Sequence, residues 1–298
     1  MTILLTEPNE IAEEAINLLK KSEWSVVTEK DKYKSEDINA IFVRTYTKVN
    51  KEFLDRFPNV HYALRAGVGL DNIDVKECER RDIKVINAPG SNANAVAEYV
   101  VGSLILMLRN IIPQNERLKK GHWRDRELIG EELAGKVIGL VGCGAVAQSL
   151  AKKLQGFDVD KIIGYDPFMS KEVLKKTGIT KAELEEIIKK ADIISLHVPL
   201  LPQTKHIFAS KELKKMKNNA ILVNTSRGGI VNEANLIQAL REGEIKGAIL
   251  DVFENEPEIR GEFEELKNVF ITPHIAGLSR QAEKEMSVSP VKRLLNIA

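Results

Sequence analysis

Cysteine is almost missing from this chain: 298 residues hold two, Cys78 and Cys143. Their spacing fits neither a metal-ligand pair nor a disulfide framework, so no covalent or metal staple organises the fold, and a reducing, cytoplasmic setting is expected. Charge of one sign is also missing. Lys and Arg number 44 against 43 Asp and Glu, a net +1, which gives no reason to expect nucleic acid or an anionic membrane as partner. Long apolar runs are lacking too. The longest, Tyr99 to Leu108, falls short of the roughly 20 residues a membrane-spanning helix needs. The opening MTILLTEPNE runs straight into an expected strand, without the basic segment and apolar core of a secretory signal. Repeats and low-complexity tracts are absent. Glutamine is scarce while Lys and Glu are plentiful, a composition that leans towards a heat-adapted source. What remains is length enough for two domains with separate cores.

The most informative stretch is KVIGLVGCGAVAQSLAKKLQGFDVDKIIGYD, residues 136–166. Val137 to Val141 is a short apolar run, suited to a strand buried on both faces. Gly142, Cys143 and Gly144 follow, then helical spacing from Ala145 to Gln155, a second apolar run from Lys161 to Tyr165, and an acid, Asp166. Gly142 can take a turn that side chains disfavour. Gly144 lets the backbone come close to a pyrophosphate at the start of the helix, beside Ala145 and Val146. Ala147 is small enough for close helix–strand packing. Asp166 stands where a carboxylate accepts from both ribose hydroxyls and repels a 2′-phosphate, so the expected cofactor is NAD rather than NADP. Cys143 reads as a small buried filler.

Elsewhere strands and helices alternate. Strands are expected at Thr2–Leu5, Trp24–Thr28, Ala40–Val43, Tyr62–Arg65 and Val85–Asn87, with helices at Asn9–Lys21 and near Lys51–Phe57 and Val75–Arg81. A long helical stretch, Ala93–Leu118, carries Val96, Val100, Leu104 and Leu108 and reads as a buried connecting or subunit-contact helix. Six more strands are expected at 137–141, 161–165, 192–197, 220–224, 247–251 and 269–272, with helices such as Lys181–Lys190 and Glu233–Glu242 between them. The last segment, Ser279–Ala298, is expected to be helical and to return to the first unit. The fold class is therefore α/β: two Rossmann-like, doubly wound parallel-sheet domains with a cleft between them. The expected domains are 1–92 plus 279–298 for substrate and 93–278 for NAD.

Ligands of such sheets sit beyond the carboxyl ends of the strands. Three late strands run into Thr225-Ser226-Arg227, into Val252-Phe253-Glu254-Asn255-Glu256-Pro257, and into Pro273-His274-Ile275-Ala276-Gly277. An arginine, a glutamate and a histidine brought together suit hydride chemistry on a 2-oxo or 2-hydroxy acid. A guanidinium binds a carboxylate through its fork and polarises the neighbouring carbonyl. An imidazole donates a proton when charged and takes it back when neutral, and a carboxylate beside it favours the charged form and fixes the ring. No metal is needed.

The segments VNTSRGGIVNE, ILDVFENEP, TPHIAG and HVPLLPQT, with the gaps between Arg227, Glu256 and His274, resemble the D-2-hydroxyacid dehydrogenase family along nearly the whole chain. The resemblance implies that His274 is the acid–base, Glu256 its partner and Arg227 the substrate-orienting cation. It further implies that Thr225, Ser226, Arg227, Asp251, His274 and Gly277 line the nicotinamide side and that Val198 packs by the adenosine. LRAGVGLDNID is similar to the family's loop whose N–H groups, here at Ala66, Gly67 and Val68, hold the substrate carboxylate, and Asn92 stands at a substrate-contacting position. FVRTYTKV resembles the phosphoglycerate dehydrogenase branch, in which Arg44 would meet a phosphate; Arg44 with Arg65 and Lys48 could form a cationic pocket. Lys48 on its own reads as a surface lysine. Ala145 stands where many relatives carry an arginine beside the pyrophosphate, so one cofactor contact is expected to be missing. The C-terminal serine-sensing module of longer relatives is not seen in this sequence, so feedback through it is not assumed. Glu256, where the formate dehydrogenase branch usually has glutamine, argues against that branch. The expected activity is NAD-dependent oxidation of D-3-phosphoglycerate, with reduction of glyoxylate or hydroxypyruvate as the nearest alternative and a non-catalytic NAD-sensing interaction protein as a remote one. A homodimer or homotetramer acting on a small 2-hydroxy or 2-oxo acid is expected.

Overall fold

The computed structural model describes residues 1–296. The chain divides into two compact units, Met1–Asn92 with Leu278–Ala298, and Ala93–Gly277.

The first unit opens with β1 (Thr2–Leu5), α1 (Glu13–Lys20), β2 (Ser25–Thr28), β3 (Ile38–Val43), α2 (Lys51–Asp55), β4 (Tyr62–Arg65), α3 (Val75–Arg80) and β5 (Lys84–Ile86). Its five strands are parallel in the order β2-β1-β3-β4-β5, the flavodoxin-like order; α1, α2 and α3 lie in three of the four crossovers, and the β2–β3 crossover has only a short 3-10 turn at Ser35–Asp37. The helices start where side chains satisfy their exposed amides: Asn50 accepts from Phe53 N–H at 2.9 Å and Asp74 from Glu77 N–H at 3.0 Å, contacts typically worth about 1 kcal/mol each. The unit is completed by the closing helix, Arg280–Leu295, capped by Ser279. Val288, Val291 and Leu294 of this helix pack with Ile3, Leu5, Leu19 and Phe42 in one apolar cluster. Each such side chain contributes about 1.5–3 kcal/mol through burial, so a helix nearly two hundred residues away in sequence belongs to this core. The last two residues of the expected helix lie outside the described residues.

The second unit contains α4 (Ala93–Leu108), α5 (Ile111–Lys119), β6 (Val137–Val141), α6 (Ala145–Leu154), β7 (Lys161–Tyr165), α7 (Lys171–Lys176), β8 (Thr180–Lys181), α8 (Leu184–Lys190), β9 (Ile193–Leu196), α9 (Ser210–Leu213), β10 (Ile221–Asn224), α10 (Glu233–Glu242), β11 (Gly247–Leu250) and β12 (Val269–Ile271). Its parallel sheet runs β12-β11-β10-β9-β6-β7-β8, a doubly wound order whose direction reverses between β6 and β9. Strands β9, β10 and β11 are buried at every position, as parallel strands covered on both faces must be.

Two expectations are corrected. The helix from Ala93 to Leu118 is broken: α4 and α5 meet at 60°, because Asn110 takes a left-handed backbone, φ 50°. Pro113 is tolerated just beyond the break, where a new helix's first amides have no intrahelical partner. The sheet has seven strands rather than six. Thr180–Lys181 pairs with β7 as a short edge, so the helix expected from Lys181 begins only at Leu184. Among the described residues no single helix is long and apolar enough to cross a membrane.

Candidate active site

The glycine turn stands at the point where the strand order of the second unit reverses. Gly142 leaves β6 with φ +84°, and a Cβ there would lie 2.6 Å from the carbonyl oxygen of His197 and 2.9 Å from Val198 Cγ1. No side chain fits that turn, and the same distances put Val198 against it. Gly144 is the residue before α6, exposed, with nothing within 4 Å of where a Cβ would stand. Ala145 is exposed and Val146 half-buried in the first turn of the helix. Ala147 is fully buried among Leu140, Leu150 and Ala151. Asp166, just past β7, accepts from Cys143 N–H and from Phe168 N–H, both at 2.9 Å. Cys143 faces the core, where burial pushes its thiol up to about 12; it is a filler and not a nucleophile.

His274 and Glu256, the expected acid–base pair, converge from two loops. His274 follows β12 in a left-handed conformation, φ +53°, and its Nδ1 lies 2.8 Å from Glu256 Oε2. The other carboxylate oxygen of Glu256 accepts from Phe253 N–H at 2.9 Å. The hydrogen bond to Glu256 raises the pKa of His274, with the charges of Glu256 and Asp251 adding to it and partial burial and Arg227 opposing it. Burial alone would raise Glu256, but the hydrogen bonds from His274 and Phe253 and the charges of His274 and Arg227 bring it below the usual carboxylate value. With Nδ1 committed to Glu256, Nε2 is the ring atom left to exchange a proton. Arg227 follows β10, and its Nη1 donates to Ser226 O at 2.6 Å.

Asp251 is only 1% exposed, and its carboxylate is spent on the histidine loop. Oδ1 accepts from Ile275 N–H at 2.8 Å and Thr272 Oγ1–H at 2.5 Å, and Oδ2 from Ala276 N–H at 2.8 Å. Asp251 therefore holds the loop through Ala276 up to Gly277. Tyr99 of α4 extends the chain through its hydroxyl to Thr272 Oγ1. Asn224, the last residue of β10, does the same for the arginine loop, accepting from Ser226 Oγ–H at 2.8 Å and donating to Arg227 O at 2.9 Å. Sequence reading missed both Tyr99 and Asn224. The only signal for Asn224 was a polar residue closing the buried run ILVN; Tyr99 gave none.

The expected substrate residues of the first unit lie at the ends of β3 and β4, with Asn92 half-buried at the unit's last position. Here two readings change. Ala66 N–H donates to Val43 O and Gly67 N–H to Arg65 O, both at 2.9 Å, so two of the three amides expected to hold a carboxylate are already engaged, one by the sheet register and one by a tight turn. Arg44, 7% exposed, turns its fork inward: Nη1 donates to Glu10 O at 2.7 Å and Nη2 lies 3.4 Å from Glu283 Oε1. Lys48 is exposed and Arg65 Nε donates to Asn72 Oδ1 at 3.3 Å, so the three cations do not form an open cluster. The loop after β3 holds an anion already. N–H groups of Arg44, Thr45, Tyr46 and Thr47 all donate to the Glu7 carboxylate at 2.9–3.3 Å. Burial would raise Glu7, yet these donors bring it down to about 2.

The glycine turn fits a dinucleotide: open space over Gly144, a carboxylate presented at Asp166, and a buried Thr225 Oγ1 with no hydrogen-bond partner among the described residues. Comparison with known proteins agrees. Residues 101–276 match the family described as D-isomer specific 2-hydroxyacid dehydrogenase, NAD binding domain. The chain is 39% identical over 288 residues to a D-3-phosphoglycerate dehydrogenase of Methanocaldococcus jannaschii, covering 95% of this chain and 54% of that protein. It is 38% identical to a hydroxypyruvate reductase of Thermotoga maritima over 94% of each chain. The solved structure of D-lactate dehydrogenase from Aquifex aeolicus, complexed with NAD and lactic acid, gives a TM-score of 0.83 at 26% identity, covering 100% of this chain and 95% of that one. The chain belongs to the D-isomer specific 2-hydroxyacid dehydrogenase family. Its second unit is the NAD-binding domain. The whole chain spans about half the length of the phosphoglycerate dehydrogenases it matches, 54% and 57% for two of them.

Proposed function

We propose that the protein transfers hydride between NAD and the 2-carbon of a D-2-hydroxy acid, with His274 as acid–base. The observation that carries this reading is the 2.8 Å contact between His274 Nδ1 and Glu256 Oε2, in a domain that binds NAD. Bound NAD supplies the hydride acceptor at the nicotinamide C4. In oxidation His274 Nε2 takes the hydroxyl proton while the hydride leaves the same carbon, and in reduction it returns that proton to the new alkoxide. Glu256 fixes the ring and stabilises the imidazolium; Arg227 holds the substrate carboxylate through its fork and polarises the adjacent carbonyl. Gly142, Gly144, Ala145 and Val146 would hold the pyrophosphate, Asp166 the ribose hydroxyls and Thr225 the nicotinamide side.

The substrate we propose is D-3-phosphoglycerate, oxidised to 3-phosphohydroxypyruvate as the entry step of serine synthesis. The reading is supported by the similarity to phosphoglycerate dehydrogenases. A second reading, reduction of hydroxypyruvate or glyoxylate, is favoured by one observation: the Arg44 fork is engaged by Glu10 and Glu283 rather than open to a phosphate. Initial rates on D-3-phosphoglycerate, D-glycerate, hydroxypyruvate and glyoxylate with NAD and NADP decide between them. If the phosphate makes no difference to kcat/KM, the first reading fails; if it does, Arg44→Ala should raise KM for the phosphorylated substrate far more than for glyoxylate. Loss of turnover on every 2-hydroxy acid in His274→Ala tests the chemistry itself. Leu118, Trp123 and Ile129, exposed apolar side chains beyond α4, support a subunit contact in a homodimer, which sedimentation would check.

A further inference from the structure

Two acidic residues outside the acid–base pair exchange hydrogen bonds between their backbones and side chains. Glu254 N–H donates to Glu233 Oε1 at 2.6 Å, and Glu233 N–H donates to Glu254 Oε1 at 3.3 Å. Glu233 is the first residue of α10, 5% exposed, and Glu254 lies in the turn after β11, two residues before Glu256. Arg260 and His206 complete the cluster: Arg260 Nε is 3.4 Å from Glu233 and its Nη2 3.7 Å from Glu254, while His206 Nε2 is 3.2 Å from Glu254. Burying two carboxylates side by side is costly, and well-packed apolar side chains would be as stable in the same space. What apolar side chains cannot do is fix a turn through directional bonds to its amides.

The bonds join two particular segments. From Glu233 the chain runs back through five residues to Arg227; from Glu254 it runs forward to Glu256 and its cis Glu256–Pro257 peptide. A second contact ties the same segments, since a Cβ on Gly228 would lie 1.8 Å from the carbonyl oxygen of Phe253. The clasp thus ties the segment that carries Arg227 to the one that carries Glu256, whose carboxylate meets His274 Nδ1. We propose that Glu233 and Glu254 are positioning residues for the acid–base pair: their exchange sets the 252–256 turn so that the Glu256 carboxylate stays on His274 Nδ1. This deepens the proposed function and rests on the reading of His274 as acid–base.

The test uses the full chain with saturating NAD. In Glu233→Ala the Glu254 amide loses its acceptor and the turn relaxes. Since displacements near 1 Å cost up to about a hundredfold, kcat should fall between about tenfold and a hundredfold per NAD-binding site, with KM for NAD unchanged. The high-pH limb of the reduction profile should move towards lower pH as Glu256 leaves the imidazole, and Glu233→Gln, which keeps an acceptor oxygen, should restore most of both. The charged groups that act on that imidazole are Glu256, which is hydrogen-bonded to it, and Asp251 and Arg227, which act through their charge, all retained in these variants. A lower Tm with kcat per site and pH profile unchanged would overturn the proposal. Should Glu233→Ala not fold, Glu233→Asp, whose shorter side chain withdraws the acceptor from the Glu254 amide, is read by NMR titration of the His274 ring, where a fall in its pKa supports the clasp and an unmoved value sinks it. That titration needs no turnover, so it separates this inference from the acid–base reading, which His274→Ala tests.

Discussion

His274 and Asp251 are joined through the backbone: the N–H of His274 donates to the carbonyl oxygen of Asp251 at 2.8 Å, while the buried Asp251 carboxylate takes the next two amides of the loop, Ile275 and Ala276. Three successive N–H groups thus end on one residue. This is what holds a non-glycine residue at φ +53°, a conformation that needs support from its surroundings. Asp251→Asn places an amide NH2 against one of those donors. It should destabilise the protein by roughly 1–3 kcal/mol for that orphaned contact and lower kcat more than KM. Denaturant unfolding and steady-state rates on the same preparation check this.

Because the hydrogen bond to Glu256 raises the His274 pKa, the two directions of reaction should respond oppositely to pH. Reduction needs the imidazolium, so it is favoured below the raised pKa and lost as pH rises through it; oxidation needs the neutral ring and rises over the same window. In Glu256→Gln that raising is lost, so both limbs should move to lower pH and kcat in reduction should drop by up to roughly 10²–10⁴-fold above the shifted limb. The stabilising effect of the pair on the fold follows the same signs. On the acid side it fades as pH falls through the depressed pKa of Glu256, and on the alkaline side as pH rises through that of His274. A pH–rate profile in each direction is the measurement, and limbs that stay where they are in the variant would falsify the coupling.

Gly142→Ala forces a side chain into a turn at φ +84° with a backbone oxygen 2.6 Å from the new Cβ. The strand end must shift away from His197, so NAD affinity should fall at least tenfold, with loss of stability on the order of 1–2 kcal/mol. Fluorescence titration with NADH measures the first and thermal unfolding the second. Unchanged NADH binding would show that the turn does not meet the dinucleotide.

Asp166 accepts from Cys143 N–H of the turn with one carboxylate oxygen and from Phe168 N–H, two residues further on, with the other. On the proposed reading, Asp166→Ala removes the charge that would repel a 2′-phosphate along with the acceptors for the ribose. The ratio of kcat/KM for NAD over NADP should fall by at least tenfold, mostly through a rise in KM for NAD. A ratio that does not move would mean that cofactor choice is made elsewhere.

Strand by strand, most of this molecule was legible in its sequence. The apolar run Val137–Val141 with its glycine turn, the acid at Asp166 and the three charged residues past β10, β11 and β12 are local patterns, and local patterns are set by periodicity and backbone chemistry. What failed was also local in one case: the break between α4 and α5 turns on Asn110, a residue that tolerates left-handed backbone without announcing it. The edge strand Thr180–Lys181 is two residues long, too short to carry a period.

The rest depended on contacts between residues far apart in sequence. The Glu7 carboxylate collects amides of the loop after β3, some forty residues on; Glu233 reaches the Glu254 amide from another element; Arg44 turns inward because Glu10 and Glu283 are there to receive it. By itself the sequence determined the alternation of strands and helices, the dinucleotide turn and the residue types of the acid–base pair, since each is dictated by neighbours along the chain. Only the tertiary structure decided which acids serve backbone amides, because a carboxylate's role is set by the donors that packing brings within about 3 Å of it.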